Sequence, residues 1–149
     1  MAEFTMMVRI AAPADKVFDV FSDIDKFAGR VDGIMKVEKL TNGPVDKGTR
    51  WLETRIVMNK ESTEELEIIE FEKGSGYTVA CDSHGTRYRT VFTFLPQGDE
   101  TDVRVYFKAE PYTLVAKLFS PLGALMMGTV KKCIVDDIEA LKAYCEDTA

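Results

Sequence analysis

Between residues 86 and 110 apolar and polar side chains alternate with a period of two. Tyr88, Thr90, Phe92 and Phe94 fall on one face of a strand, with Arg87, Arg89, Val91 and Thr93 on the other. Val103, Val105, Phe107 and Ala109 oppose Asp102, Arg104, Tyr106 and Lys108 in the same way. Each strand therefore has one core face. In "GYTVACDSH" the apolar set is Tyr77, Val79 and Cys81, whereas in "STEELEIIEFE" Leu66 and Ile68 disagree in parity with Ile69 and Phe71, which predicts a bulge or a wide twist. Turn signals at "TNGP" and "VDKG", "EKGSG", "SHGT" and "PQGDET" leave strands near 34–41, 49–58, 61–71, 76–83, 86–95 and 101–110. With "MAEFTMMVRI" as a first strand, seven are expected.

Helical spacing appears twice. In "APADKVFDVFSDIDKFAG" Pro13 stands at the start and Asp15 in the first turn, where the helix dipole favours a negative charge. Val17, Val20, Phe21 and Ile24 follow at intervals of three and four. Ser22 with Asp25 resembles a second cap, so the segment should break near Asp23 into two short helices. At the other end Met127, Val130, Ile134, Ile138, Leu141 and Cys145 form an apolar stripe on a long helix, with Lys131, Lys132, Asp136, Glu139 and Lys142 off it. The run "KLFSPLGALMMGTVKKC", residues 117–133, would open that helix, although Pro121, Gly123 and Gly128 punctuate it.

With 149 residues and 46% hydrophobic content, the chain is expected to be one domain, 1–149, that buries roughly 70% of its unfolded surface. The apolar run is too short and too interrupted for the roughly 20 residues of a membrane span. The start carries no cationic region before a long apolar stretch, so a cytoplasmic location is expected. Cys81, Cys133 and Cys145 are odd in number and without metal spacing, which suits a reducing compartment and core positions. A net charge of -6, with nineteen basic residues scattered among twenty-five acids, argues against nucleic acid as a partner.

A strand, two short helices, six strands and a long helix, together with "IAAPADKVFDVFSDIDKF", "GTRWLETR", "ELEIIEFE" and "YRTVFTFLP", resemble the START-like polyketide cyclase/dehydratase superfamily (SRPBCC) over almost the whole chain. The resemblance implies an α+β helix-grip fold: a curved seven-stranded antiparallel sheet wrapped around the C-terminal helix, with a cavity between them. It fixes function poorly, because such folds serve carriers, receptors and cyclases. It also implies that "SPLGALMMG" sits near the cavity mouth as an apolar lip, with its glycines and methionines adaptable to irregular shapes. The alternative is that Leu122, Leu125 and Met126 simply cap the core.

Chemistry in the cavity is restricted. His84, in a turn, is the single histidine and has no relay motif around it; HExxH, CxxC, P-loop and GxGxxG patterns are missing, so neither metal nor cofactor is expected. Trp51, Glu53 and Arg55 share one face of a strand. If Trp51 points inward, Glu53 enters the cavity with Arg55 as ion partner, and a carboxylate there could serve as general acid or base. In the opposite register Leu52 and Ile56 face inward and the pair is solvated. Candidate ligand-binding residues are Trp51, Tyr77, Tyr88, Thr90, Phe92, Phe107, Leu122, Met126, Met127 and Val130. Three functions follow. A binder of a small hydrophobic molecule (a lipid, an isoprenoid or an aromatic polyketide-like compound) predicts a cavity of several hundred cubic ångströms with few charged groups. A cyclase or dehydratase predicts Glu53 buried beside Arg55 and a tyrosine. An interaction module predicts a filled core and an exposed apolar patch on the convex sheet or on residues 114–127. A homodimer is compatible with each.

Overall fold

The first strand, β1 (Ala2–Ile10), leads through Pro13 into α1 (Ala14–Ser22), a 3-10 turn at Ile24–Lys26 and α2 (Phe27–Arg30). The computed structural model describes residues 2–57 and 59–147, and over 122–126 the backbone alone. Six strands follow: β2 (Ile34–Lys39), β3 (Arg50–Val57), β4 (Lys60–Glu72), β5 (Gly76–Ser83), β6 (Thr86–Gln97) and β7 (Glu100–Pro111). They form one antiparallel sheet in the order β1-β7-β6-β5-β4-β3-β2. Two helices close the chain, α3 (Leu114–Leu118) and α4 (Ser120–Asp147).

Helix α1 forms because its apolar spacing buries Val17, Phe18, Val20 and Phe21 against the sheet. Pro13 is the residue before the first helical position, with extended backbone. The expected break at Asp23 is present, but Ser22 does not cap the next turn: its hydroxyl donates back to the Phe18 carbonyl at 2.8 Å. In β4 the parity conflict is settled by a bulge between Ile68 and Glu70, which lets both Ile68, opposite Val79, and Phe71, opposite Tyr77, face the core. Gly76 begins β5 where a Cβ would stand 2.4 Å from the Phe92 carbonyl oxygen, so this close approach of two strands requires glycine.

One expectation needs correction. The segment from Lys117 does not open a single helix; α3 is separate, begun by Thr113, whose hydroxyl accepts the Ala116 N–H at 3.1 Å. Pro121 explains the break. A proline inside a continuing helix would collide with the carbonyl four residues back, whereas in the first turn of α4 its missing N–H leaves nothing unpaired.

The core runs unevenly along the concave face. Going along β6, Phe94 is buried, whereas Phe92, Thr90 and Tyr88 are each partly exposed; on β5, Tyr77 and Val79 are buried and Cys81 is not. Helix α4 shows the same trend, with Cys145, Leu141 and Ile138 buried and Ile134, Val130 and Met127 partly exposed. At the buried end Phe18, Phe21, Tyr77 and Phe94 pack as one aromatic cluster with centroids 5.2 to 6.2 Å apart.

Candidate functional site

Strand β3 settles the register that the sequence left open. Trp51 and Glu53 are buried, Arg55 is partly buried, and Ile56 projects to solvent. The reason lies in what the inward face offers. The Trp51 indole Nε1–H donates to Glu53 Oε1 at 3.3 Å, and Arg55 Nε donates to Glu53 Oε2 at 2.7 Å. The guanidinium then reaches across to α4, where its two terminal nitrogens donate to the carboxylate of Asp137 at 3.1 and 2.6 Å. Such a two-pronged pairing suits the planar guanidinium. Gly33, just before β2, borders the pair: a Cβ there would meet an Arg55 nitrogen at 3.7 Å and Asp137 at 3.8 Å, ordinary contact distances.

One cation thus serves two carboxylates. For Arg55, burial favours loss of the proton but is outweighed by hydrogen bonds and attraction from Asp137 and Glu53, so its pKa is raised and it stays charged. Asp137 is held above the ordinary carboxylate range by burial, and Glu53 adds to this, while Arg55 opposes it. The soft member of the cluster is therefore Asp137.

A second inward carboxylate lies opposite the first. In the β3–β4 register Glu53 faces Glu64, and Glu64 accepts a hydrogen bond from the Ser83 hydroxyl at 2.9 Å. Like charges directly opposite on one sheet face repel. Among the described residues Glu64 has no cationic partner within 4 Å, so it is less committed than Glu53, whose two oxygens are both occupied. Burial, and after it Glu64, pushes the Cys81 thiol up to about 11, which keeps it protonated at neutral pH and poor as a nucleophile. Burial likewise raises the Tyr88 hydroxyl.

The other sequence candidates divide into two groups. Tyr77 and Phe107 are buried; the Tyr77 hydroxyl donates to the Phe21 carbonyl and its ring stacks at 4.9 Å on Phe92. Tyr88, Thr90, Phe92, Met127 and Val130 are partly exposed on the facing surfaces of β6 and α4. The side chains of Leu122 and Met126, and with them the apolar lip, lie outside the described residues. Asp137 and Glu64 were not singled out by the sequence. Asp137 carried a signal, since it lies three residues after Ile134 and four before Leu141, within the apolar stripe.

Two clefts open elsewhere. One of about 690 Å³ lies between α1 and the β2–β3 loop, beside Phe18, Ser22, Val45 and Lys73, and one of about 340 Å³ lies by the β4 bulge among Glu70, Thr78, Val91 and Thr93, next to Phe71, Tyr77 and Phe92. Neither is lined by Glu53, Arg55, Tyr88 or Asp137. The expectation of a concave interior with few charged groups is corrected by Glu53, Arg55, Glu64 and Asp137, which the sequence pattern did not place together. Among the described residues no cluster of His, Cys, Asp and Glu has the arrangement to hold a metal ion, and no helix is long and apolar enough to cross a membrane.

Residues 1–146 match the family model for polyketide cyclase / dehydrase and lipid transport proteins. The chain belongs to that family. No curated protein sequence matches it significantly. Among solved structures, the family fold is shared with a START superfamily protein from Mycobacterium smegmatis at 14% identity, TM-score 0.78, covering 99% of both chains. Zhui aromatase/cyclase from Streptomyces aligns at 14% identity and TM-score 0.82, over 97% of this chain and 93% of that one. Norcoclaurine synthase from Thalictrum flavum, solved with dopamine and hydroxybenzaldehyde, aligns at 17% identity and TM-score 0.70, over 96% and 85%. At these identities the likeness shows a shared helix-grip frame alone, and the chemistry of each protein must be read from its own residues.

Proposed function

We propose that the protein binds a small hydrophobic molecule, such as a lipid, an isoprenoid or an aromatic polyketide-like compound, between the open half of the sheet and α4. The observation that carries this reading is the loss of burial along both facing surfaces, from Phe94 to Tyr88 on β6 and from Cys145 to Met127 on α4. Apolar side chains facing inward yet left partly exposed are a surface awaiting an occupant, since each gains about 25 cal/mol per Å² when covered. Tyr88, Thr90 and Glu64 give this surface a polar end, so the favoured ligand is amphipathic, with a hydrogen-bond donor directed at Glu64.

A second reading, a cyclase or dehydratase, is favoured by one observation: Glu53 is buried beside Arg55, as such an enzyme would need. Its weakness is equally specific. Glu53 is buried with both oxygens already accepting protein hydrogen bonds, whereas Glu64 is partly exposed and, among the described residues, bonded only to Ser83, so Glu64 is the better candidate base.

Native mass spectrometry of protein purified from cells, followed by denaturation and identification of released small molecules, tests the binder. A hydrophobic species at near-stoichiometric amount is expected, and its chemical class then supplies substrates for turnover assays. A clean unliganded mass, with no thermal shift across fatty acids, sterols and polyphenols, would overturn the reading.

A further inference from the structure

Helix α3 is exposed to a degree that its composition does not lead one to expect. Leu114 is 84%, Val115 65%, Leu118 73% and Phe119 58% accessible, and Tyr112 just before them is 43% accessible. Leu114, Leu118, Val115 and Phe119 are the most exposed large apolar side chains among the described residues, ahead of Met7 and Ile56. Single exposed leucines need no explanation, but five large apolar residues within eight consecutive positions form a patch, and patches mark contact surfaces.

Charge indicates what kind of surface they meet. The chain carries -6 overall, with acids distributed along nearly all of it. Between Glu110 and Asp136, however, no acid occurs, while Lys117, Lys131 and Lys132 do. Lys132 is compensated by Asp136 at 2.7 Å, whereas Lys117 stands exposed within the patch and has no acidic partner within 4 Å among the described residues. Arg87, its guanidinium 4.6 Å from the centre of the Tyr112 ring, adds a second cation, shared with Asp82 at 4.0 Å. Glu110, the nearest acid before the patch, is paired with Lys108 at 3.3 Å. An anionic surface would repel most of this molecule and attract this end.

We infer that α3, through Tyr112, Leu114, Val115, Leu118 and Phe119 with Lys117 and Arg87, docks the protein on a lipid bilayer bearing anionic headgroups. Apolar side chains enter the boundary between headgroups and acyl chains, while the lysine stem lies along them and its ammonium reaches the phosphates. Helix α3 joins β7 to α4, whose Met127, Val130 and Ile134 face the proposed ligand space, so docking here brings that space to the source of a hydrophobic ligand. Only this last step rests on the binder reading; the docking surface stands without it.

The test is flotation of the full chain with extruded vesicles of phosphatidylcholine, alone or with phosphatidylserine. Partition is expected onto the phosphatidylserine vesicles, weakened by high salt. Leu118→Asp and Phe119→Asp should each reduce it about tenfold, and Lys117→Gln about fivefold, with unchanged melting temperatures because these side chains are exposed. No partition, equal partition onto both vesicle types, or partition unaffected by Leu118→Asp would overturn the inference. So would a dimer in sedimentation that Leu118→Asp dissociates, which would assign the patch to a second copy. A neutral fluorescent hydrophobe titrated without vesicles separates the two proposals: failure there with vesicle binding intact removes the binder reading alone.

Discussion

The two ends of the concave space are built from the same strands and the same helix, yet they differ in completion. At one end Phe18, Phe21, Tyr77 and Phe94 fill the space ring against ring, and the one polar tip, the Tyr77 hydroxyl, is bonded to a backbone carbonyl. At the other, Tyr88, Thr90, Cys81 and Glu64 on the sheet and Met127 and Val130 on the helix remain partly open. Strand alternation alone cannot distinguish these ends, because inward positions recur in both. What distinguishes them is which helix lies opposite: α1 closes the first end, and its Phe18 and Phe21 complete the aromatic cluster. One end is filled, and the other is where we propose a ligand binds.

The largest expected effect tests the filled end. Phe21→Ala should cost about 3 to 5 kcal/mol by denaturant unfolding, since the ring leaves a cavity that the cluster cannot close. Tyr88→Phe at the open end should cost less than about 1 kcal/mol. Comparable losses at both would erase the contrast.

Next comes the bridge between sheet and helix. Arg55→Met strands Glu53 in a buried site and leaves Asp137 unpaired, at a cost of about 3 to 5 kcal/mol. The triple variant Glu53→Gln, Arg55→Met, Asp137→Asn should recover most of that, because the uncompensated charges are gone. A triple variant as unstable as the single one would show that packing, rather than charge, holds α4 at this point.

A smaller effect sharpens the electrostatics. Asp137 binds its proton more tightly in the folded chain than in the unfolded one, so its contribution is complete at low pH and is lost as pH rises from about 4 through its raised folded value. Melting temperatures of Asp137→Asn should therefore gain on wild type as pH increases through that window. Wild type gaining instead would mean that attraction to Arg55 exceeds the burial penalty.

Much of this fold was legible because period-two alternation and the apolar stripe of α4 are local properties of the sequence. The bulge in β4 was visible as a parity conflict between Leu66, Ile68 and Ile69, Phe71. The separation of α3 from α4 was also written there, in Pro121, but an apolar run at helical spacing concealed it. The site was less legible, for a physical reason. Whether Glu53 faced inward depended on Asp137, 84 positions later on another element, and Glu64 came to oppose Glu53 only through the β3–β4 register. Local pattern places a residue on a face; only tertiary pairing decides whether a charge there is tolerated.

The most direct test of the open end is to fill it. Thr90 faces inward between Val79 and Phe107, so Thr90→Phe would place a ring in the space assigned to the ligand. Titration with N-phenyl-1-naphthylamine, a neutral hydrophobe that fluoresces on burial, should show saturable binding to wild type and none to Thr90→Phe, with stability retained. No binding to wild type, or equal binding to both proteins, would contradict the account.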